Sequence, residues 1–211
     1  MDYFYALNKP SVYDNNPYDT EFLDANDTIR GDAPTCNTCG KYIGCLQWLP
    51  PIKVEITFWG EEPGDIVFGT GDDLLVSDRF MSFYRKHKLK GLSGFEKVEI
   101  AKANRKKRKG PRILPEYYRV VVSMSRALID LQASGFVHER PATCPDCNLG
   151  GLLKTFDRII ITEGSWSGED LFYARGLSGT IFTSQRFYDI FHEHEIKNGV
   201  LIEASQYGMT Y

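Results

Sequence analysis

No stretch of the chain approaches eighteen consecutive apolar residues, which argues against a membrane-spanning helix. Met1 to Pro10 lacks a basic segment followed by an apolar run, so no secretory leader is expected and the protein is expected to be cytoplasmic. Histidine is scarce, with only four in 211 residues. They form no recognisable Ser/His/Asp or Cys/His constellation, so the chain is expected not to be an enzyme. Glu61, Glu62, Asp65, Asp72, Asp73, Glu163, Glu169 and Asp170 can in principle pair for acid/base chemistry, but an acidic binding face has the same composition. His192-Glu193-His194-Glu195 resembles a metal cluster only on paper. On a helix, residues two apart point to different faces, and the i, i+4 histidine pair of a helical zinc site is missing.

Cysteine is also sparse, but it is patterned. Of the five, four fall in two Cys-x-x-Cys pairs, Cys36/Cys39 and Cys144/Cys147, set 108 residues apart. A disulfide framework is not expected in a cytoplasmic chain, and this spacing is that of metal knuckles. A structural zinc ion takes four soft ligands in a tetrahedron, and each knuckle offers two thiolates from one turn. Gly40 follows the first pair and Asn148 the second, both residues that tolerate the positive φ such a turn needs. The expected site is therefore Cys36, Cys39, Cys144 and Cys147 around one Zn²⁺, acting as a staple between the two half-domains of the chain.

The two pairs belong to a wider repetition. Ser77 to Lys90 aligns with Ser184 to Lys197 without a gap, repeating Ser, Arg, Phe, His and Lys at matching places. Upstream, Asp65-Ile66-Val67-Phe68 aligns with Asp170-Leu171-Phe172-Tyr173. Self-similarity in the same order points to an internal duplication. The expected layout is an acidic N-terminal arm over 1–34, a first CxxC repeat over 35–100, a basic loop with a strand and helix over 101–142, and a second CxxC repeat over 143–211.

Alternating Ile52, Val54, Ile56 and Phe58 predict a half-buried strand, and short extended pieces are expected at 65–68 and 74–76. Ser77 and Ser184 are placed to cap two amphipathic helices, the first ending by Gly91 and the second running to Glu195. Further strands are expected at 95–100, 117–122, 158–162, 170–173, 179–183 and 200–204, with a helix from Ser123 through Leu131. Residues 11–35 read as irregular. The fold class is thus α+β, with two similar α/β half-domains, mostly antiparallel sheets and a shared two-knuckle zinc site.

The net charge of −3 conceals an uneven distribution. Lys102, Arg105, Lys106, Lys107, Arg108, Lys109 and Arg112 lie in one segment without an acid, leaving the remainder at about −10. An acidic body favours basic protein partners through electrostatic steering. The acids marked as a partner face are Asp14, Asp19, Glu21, Asp24 and Asp27 in the arm and Glu61, Glu62, Asp65, Asp72 and Asp73 in the following loop. The basic segment over 102–112 raises an alternative, a zinc-containing nucleic-acid-binding or regulatory protein. Its Gly and Pro, its lack of interleaved aromatics and its place between the repeats favour a solvated loop instead.

Taken together, Cys36, Cys39 and Gly40, the Gly64 to Lys90 element with its Leu-Leu-Val and helix, Gly91-Leu92, the second pair, Gly168 to Phe172, and Ile181 to Phe187 resemble the double-CXXCG motif proteins. That family includes immunity proteins of the swarm-inhibition-toxin type, and the resemblance spans most of residues 30 to 204. It implies a bacterial cytoplasmic protein that binds and neutralises a cognate protein toxin, a basic nuclease being one candidate. Asn148 departs from the pattern, which has Gly there, and so does the basic segment over 101–112. The resemblance supplies no toxin-contact residues, and it leaves the oligomeric state open.

Overall fold

A computed structural model describes every residue except 1, 12, 26–28, 70–72, 108 and 210–211. Asp27, Asp72 and Arg108 therefore lie outside the described residues. In chain order the elements are β1 (Phe4–Asn8), β2 (Thr20–Asp24), β3 (Lys53–Phe58), β4 (Ile66–Phe68), β5 (Leu74–Ser77), α1 (Asp78–Lys86), β6 (Leu92–Lys97), β7 (Glu99–Arg105) and β8 (Tyr117–Leu128). They continue with β9 (Val137–His138), β10 (Leu153–Thr155), β11 (Leu171–Arg175), β12 (Ile181–Ser184), α2 (Gln185–Glu193) and β13 (Val200–Glu203). One 11-stranded sheet runs β13-β1-β12-β11-β8-β5-β4-β2-β3-β7, with β6 also paired to β8, and β9 and β10 form a separate ribbon. The sheet is mixed: β8 with β11, β2 with β4 and β3 with β7 are parallel, and the other pairings are antiparallel.

β4-β5-α1 and β11-β12-α2 are the same local unit, each an antiparallel hairpin running directly into a capped helix. Ser77 Oγ accepts from Phe80 N and Ser184 Oγ from Phe187 N, closing the first turn of each helix. Both hydroxyls then donate to a buried carboxylate, Ser77 to Asp65 and Ser184 to Asp170. The expected outcome of Ser77→Ala or Ser184→Ala is a loss of about 1–2 kcal/mol in urea denaturation, similar for the two sites. A marked inequality would show that the two caps are not equivalent.

Each unit is also bonded to the other. Lys197 N donates to Asp65 at 3.0 Å and Lys90 N to Asp170 at 2.9 Å. Arg79 pairs with Asp65 and reaches the His194 carbonyl, while Arg186 pairs with Asp170 and reaches the His87 carbonyl. Between them, His87 Nε2 and His194 Nε2 are 2.8 Å apart. Phe80, Phe83 and Tyr84 of α1 and Phe187, Ile190 and Phe191 of α2 fill one central core on the same side of the sheet. Two further clusters, one around Phe22, Trp48 and Ile56 and the other around Phe172, Phe182 and Ile159, are built from the strand positions of opposite parity.

Several sequence expectations need correction. The 1–34 segment is not an arm: β1 is inserted between β12 and β13, and β2 between β3 and β4. The expected 123–131 helix is the second half of β8, a 12-residue strand in which Ser125, Ala127 and then Ile129 are buried at every second position. Met, Arg, Ala and Leu favour helix, but hydrogen bonding to β11 overrides that preference. The 158–162 strand reduces to a single bridge between Ile161 and Ile129. The 95–100 strand divides into β6 and β7, and β7 already holds Lys102 and Arg105, so the basic segment begins inside the sheet. α1 ends at Lys86 with His87 as its C-cap, earlier than the Gly91 limit.

Candidate metal centre

The two cysteine knuckles lie on loops beside the ends of the central strands β8 and β11. Cys36 N donates to Lys41 O and Gly40 N to Cys36 O, both at 2.8 Å, closing the first turn with Gly40 at φ 71°. In the second turn Asn148 N donates to Cys144 O at 3.0 Å, with Asn148 at φ 53°. The positive φ expected at both positions is present. Asn148 also does something glycine cannot: its side-chain amide donates to Ile129 O at 3.0 Å, tying the knuckle to the end of β8.

The four sulfurs gather at one point. Cys36 Sγ to Cys144 Sγ and Cys39 Sγ to Cys147 Sγ are each 3.7 Å, and all four lie within 4.8 Å of one another. A disulfide needs sulfurs about 2.05 Å apart, so these pairs are not bonded. A tetrahedron with metal–sulfur bonds of about 2.3 Å has edges of about 3.8 Å, close to the shorter separations seen. Cys36, Cys144 and Cys147 are buried with Ile43 and Leu149 packed against them, while Cys39 is exposed. The donor set therefore fits one metal ion with a closed, all-thiolate shell.

The thiols differ in acidity for local reasons. Backbone N–H groups of Cys39 and Thr38 point at the Cys36 sulfur and lower its pKa to about 7. Burial raises that of Cys147 to about 12. Binding must displace thiol protons, so acid opposes metal capture.

Contacts around the sulfurs also bridge the two loops. Thr38 donates to Asp146, Lys41 Nζ reaches Leu149 O at 2.9 Å, and Arg175 Nη1 reaches Asp146 O at 3.1 Å. The expected staple between half-domains needs revision here. The 66–77 and 171–184 hairpins are already joined by β8 within one sheet and by the Asp65 and Asp170 bonds. The metal site fastens the 29–49 loop, which carries no strand longer than a bridge, against the 140–150 loop.

The acids proposed from sequence are separated by the structure into four environments. Asp65 is 5% exposed, and its oxygens are taken by Ser77, Arg79 and Lys197 N. Asp24 and Asp73 pair with Arg30, which also lies over the Trp48 ring. Asp19 and Glu21 share Lys9, and Glu21 accepts from the Trp59 indole. Only Asp14, Glu61 and Glu62 are exposed and without an ion pair among the described residues. Glu61 N and Glu62 N both donate to Pro17 O, so the 14–19 turn and the 60–62 turn meet on one rim beside exposed Tyr13 and Trp59.

Sequence reasoning missed Arg119, a buried arginine near the start of β8, and Trp48, which is 1% exposed in the loop between the first knuckle and β3. A lone charge within the run Tyr117 to Val122 was the available signal. His87 and His194, which occupy matching places in the two repeated segments, are in contact with each other. No described helix is long and apolar enough to cross a membrane. No family model matches the chain, and no curated protein matches it either.

Proposed function

We propose that this protein is an immunity protein that binds and neutralises a cognate protein toxin, with a structural zinc ion in the Cys36/Cys39/Cys144/Cys147 site and no catalysis of its own. The sequence resemblance to double-CXXCG proteins motivates the reading. The observation that carries it is the rim where Asp14, Glu61, Glu62, Tyr13 and Trp59 are brought together from two turns. Exposed aromatics flanked by acids suit a basic partner, the aromatics as anchors and the acids as steering charges. Asp65, being buried and fully engaged, is not part of that face.

Zinc is favoured because four thiolates near a tetrahedral arrangement leave no open position for a substrate. An internal duplication is supported by the matched caps, carboxylates and arginines of the two hairpin-helix units. The basic segment has a structural explanation that does not need nucleic acid. β7 is an outer strand of the sheet, and exposed Lys102, Arg105 and Lys106 blunt an edge that would otherwise pair with another chain. Lys102 pairs with Glu55, and Lys106 lies over the Trp59 ring at 5.0 Å, so part of this charge is used locally.

The test is association with the toxin encoded beside this gene, followed by stopped-flow at several salt concentrations. Replacing Asp14, Glu61 and Glu62 together by lysine is expected to slow association about tenfold and flatten its salt dependence. Unchanged kinetics would remove the rim from the interface, and absence of binding to any neighbouring toxin would overturn the immunity reading. Binding of nucleic acid that is lost on neutralising 102–112 would favour the regulatory alternative.

A further inference from the structure

Behind the 29–49 loop lies a cavity of about 370 Å³, lined by Gly44, Cys45, Leu46, Gln47 and Trp48 on one side and by Arg119 to Met124 of β8 on the other. Its volume falls within the usual range for small-ligand pockets. Two of the lining residues, Arg119, which is 6% exposed, and Trp48, carry a buried donor without a partner among the described residues, Nε and Nε1, both closed off from solvent. The described residues give the Arg119 guanidinium no ion pair, although Glu96 and Asp73 attract it. Burying an arginine without a partner is costly, and proteins keep such an arrangement where a ligand supplies the missing charge.

The surroundings leave that role open. Asp73 also lines the cavity, but both its oxygens accept from Arg30, at 2.9 and 2.7 Å. Glu96 stands opposite Arg119 across β6 and β8 and attracts it, yet makes no ion pair with it. Gly94, at φ 89°, makes room for the guanidinium: a Cβ there would sit 3.1 Å from Nη1. Val121 and Met124 give the same cavity an apolar wall, and exposed Cys45 and Leu46 mark its open side.

We propose that this cavity binds a small organic carboxylate, its charged end on the outer nitrogens of the Arg119 guanidinium beside the Trp48 ring, and its apolar body against Val121 and Met124. A guanidinium–carboxylate contact supplies the counter-charge that no ion pair among the described residues gives Arg119, and the apolar wall selects against a bare inorganic anion. The site is independent of the rim proposed for toxin binding.

The experiment is titration of the intact protein with benzoate, hexanoate, benzamide and inorganic phosphate, following the Trp48 indole ¹H–¹⁵N resonance, which Trp48→Phe identifies. At least one carboxylate is expected to shift that resonance saturably, with benzamide and phosphate at least about tenfold weaker. Arg119→Gln is expected to weaken carboxylate binding about 10- to 100-fold, in line with loss of a charge-assisted hydrogen bond. Val121→Phe, which fills the cavity and keeps the arginine's charge, is expected to abolish binding and keeps the test decisive if Arg119→Gln fails to fold. Absence of any shift with both carboxylates, an equal response to benzamide, or full retention of binding in Val121→Phe would overturn the proposal.

Discussion

Cys147→Ser is expected to yield a protein without bound metal and less stable than the wild type by about 4 kcal/mol when free zinc exceeds the dissociation constant about a thousandfold. The sulfur of Cys147 lies at the innermost corner of the cluster, 3.7 Å from Cys39 Sγ and 1% exposed as a residue. Serine offers a harder, far less acidic oxygen in a buried place, and three remaining thiolates do not complete the shell. The damage should be local. In hydrogen exchange monitored by mass spectrometry, amides over 31–47 and 140–151 are expected to lose protection, while those of β5, β8, β11 and β12 keep theirs. That pattern follows from a continuous sheet that does not depend on the metal. Uniform loss of protection would mean instead that the metal holds the whole fold together.

Asp170→Ala is expected to cost about 3 kcal/mol, with Asp65→Ala close to it, as measured by denaturant midpoint at constant m-value. Asp170 is 3% exposed and accepts from Ser184 Oγ, Arg186 Nη1 and Lys90 N. Removing it leaves a buried hydroxyl and a backbone N–H unsatisfied and frees a helix cap, each an unfavourable change of about 1–3 kcal/mol before relaxation. The arginines contribute less, because Arg186 and Arg79 are each half exposed and screened by water. Asn at either position retains one acceptor oxygen and should lose less than Ala. If Asp65→Ala were silent while Asp170→Ala was severe, the matched bonding of the two units would carry no energetic meaning.

How much of this was legible in the chain depends on whether a feature is local. Ser77 and Ser184 cap helices through bonds three residues long, and the Cys-x-x-Cys turns set their own φ values, so all four were readable from neighbours in sequence. The gathering of the four sulfurs was readable because a metal requires it. By contrast, β1 and β2 are too short to carry a clear strand signal, yet they are ordered by strands far along the chain, β12 and β13 for one and β3 for the other. No local pattern reports such a partner. β8 illustrates the same point in reverse. Its Ser-Met-Ser-Arg-Ala-Leu run has helical propensity, and only hydrogen bonding to β11 makes it a strand.

The acidic face was partly misread for a related reason. Sequence gives charge but not what meets it: Asp65, Asp24 and Asp73 are internal partners of arginines, and of the acids marked from sequence only Asp14, Glu61 and Glu62 are exposed and without an ion pair among the described residues. Arg119 escaped notice because a single cation in an apolar strand has no motif around it. Its importance emerges from its burial and from the cavity beside it.

The central claim is that two knuckles 108 residues apart share one metal ion. X-ray absorption at the zinc edge, with metal quantified on the same purified sample, tests it most directly. The expected result is one zinc per chain surrounded by four sulfurs at about 2.3 Å. Zinc bound through nitrogen or oxygen, or a protein that is folded and free of metal even after purification with zinc present, would contradict it.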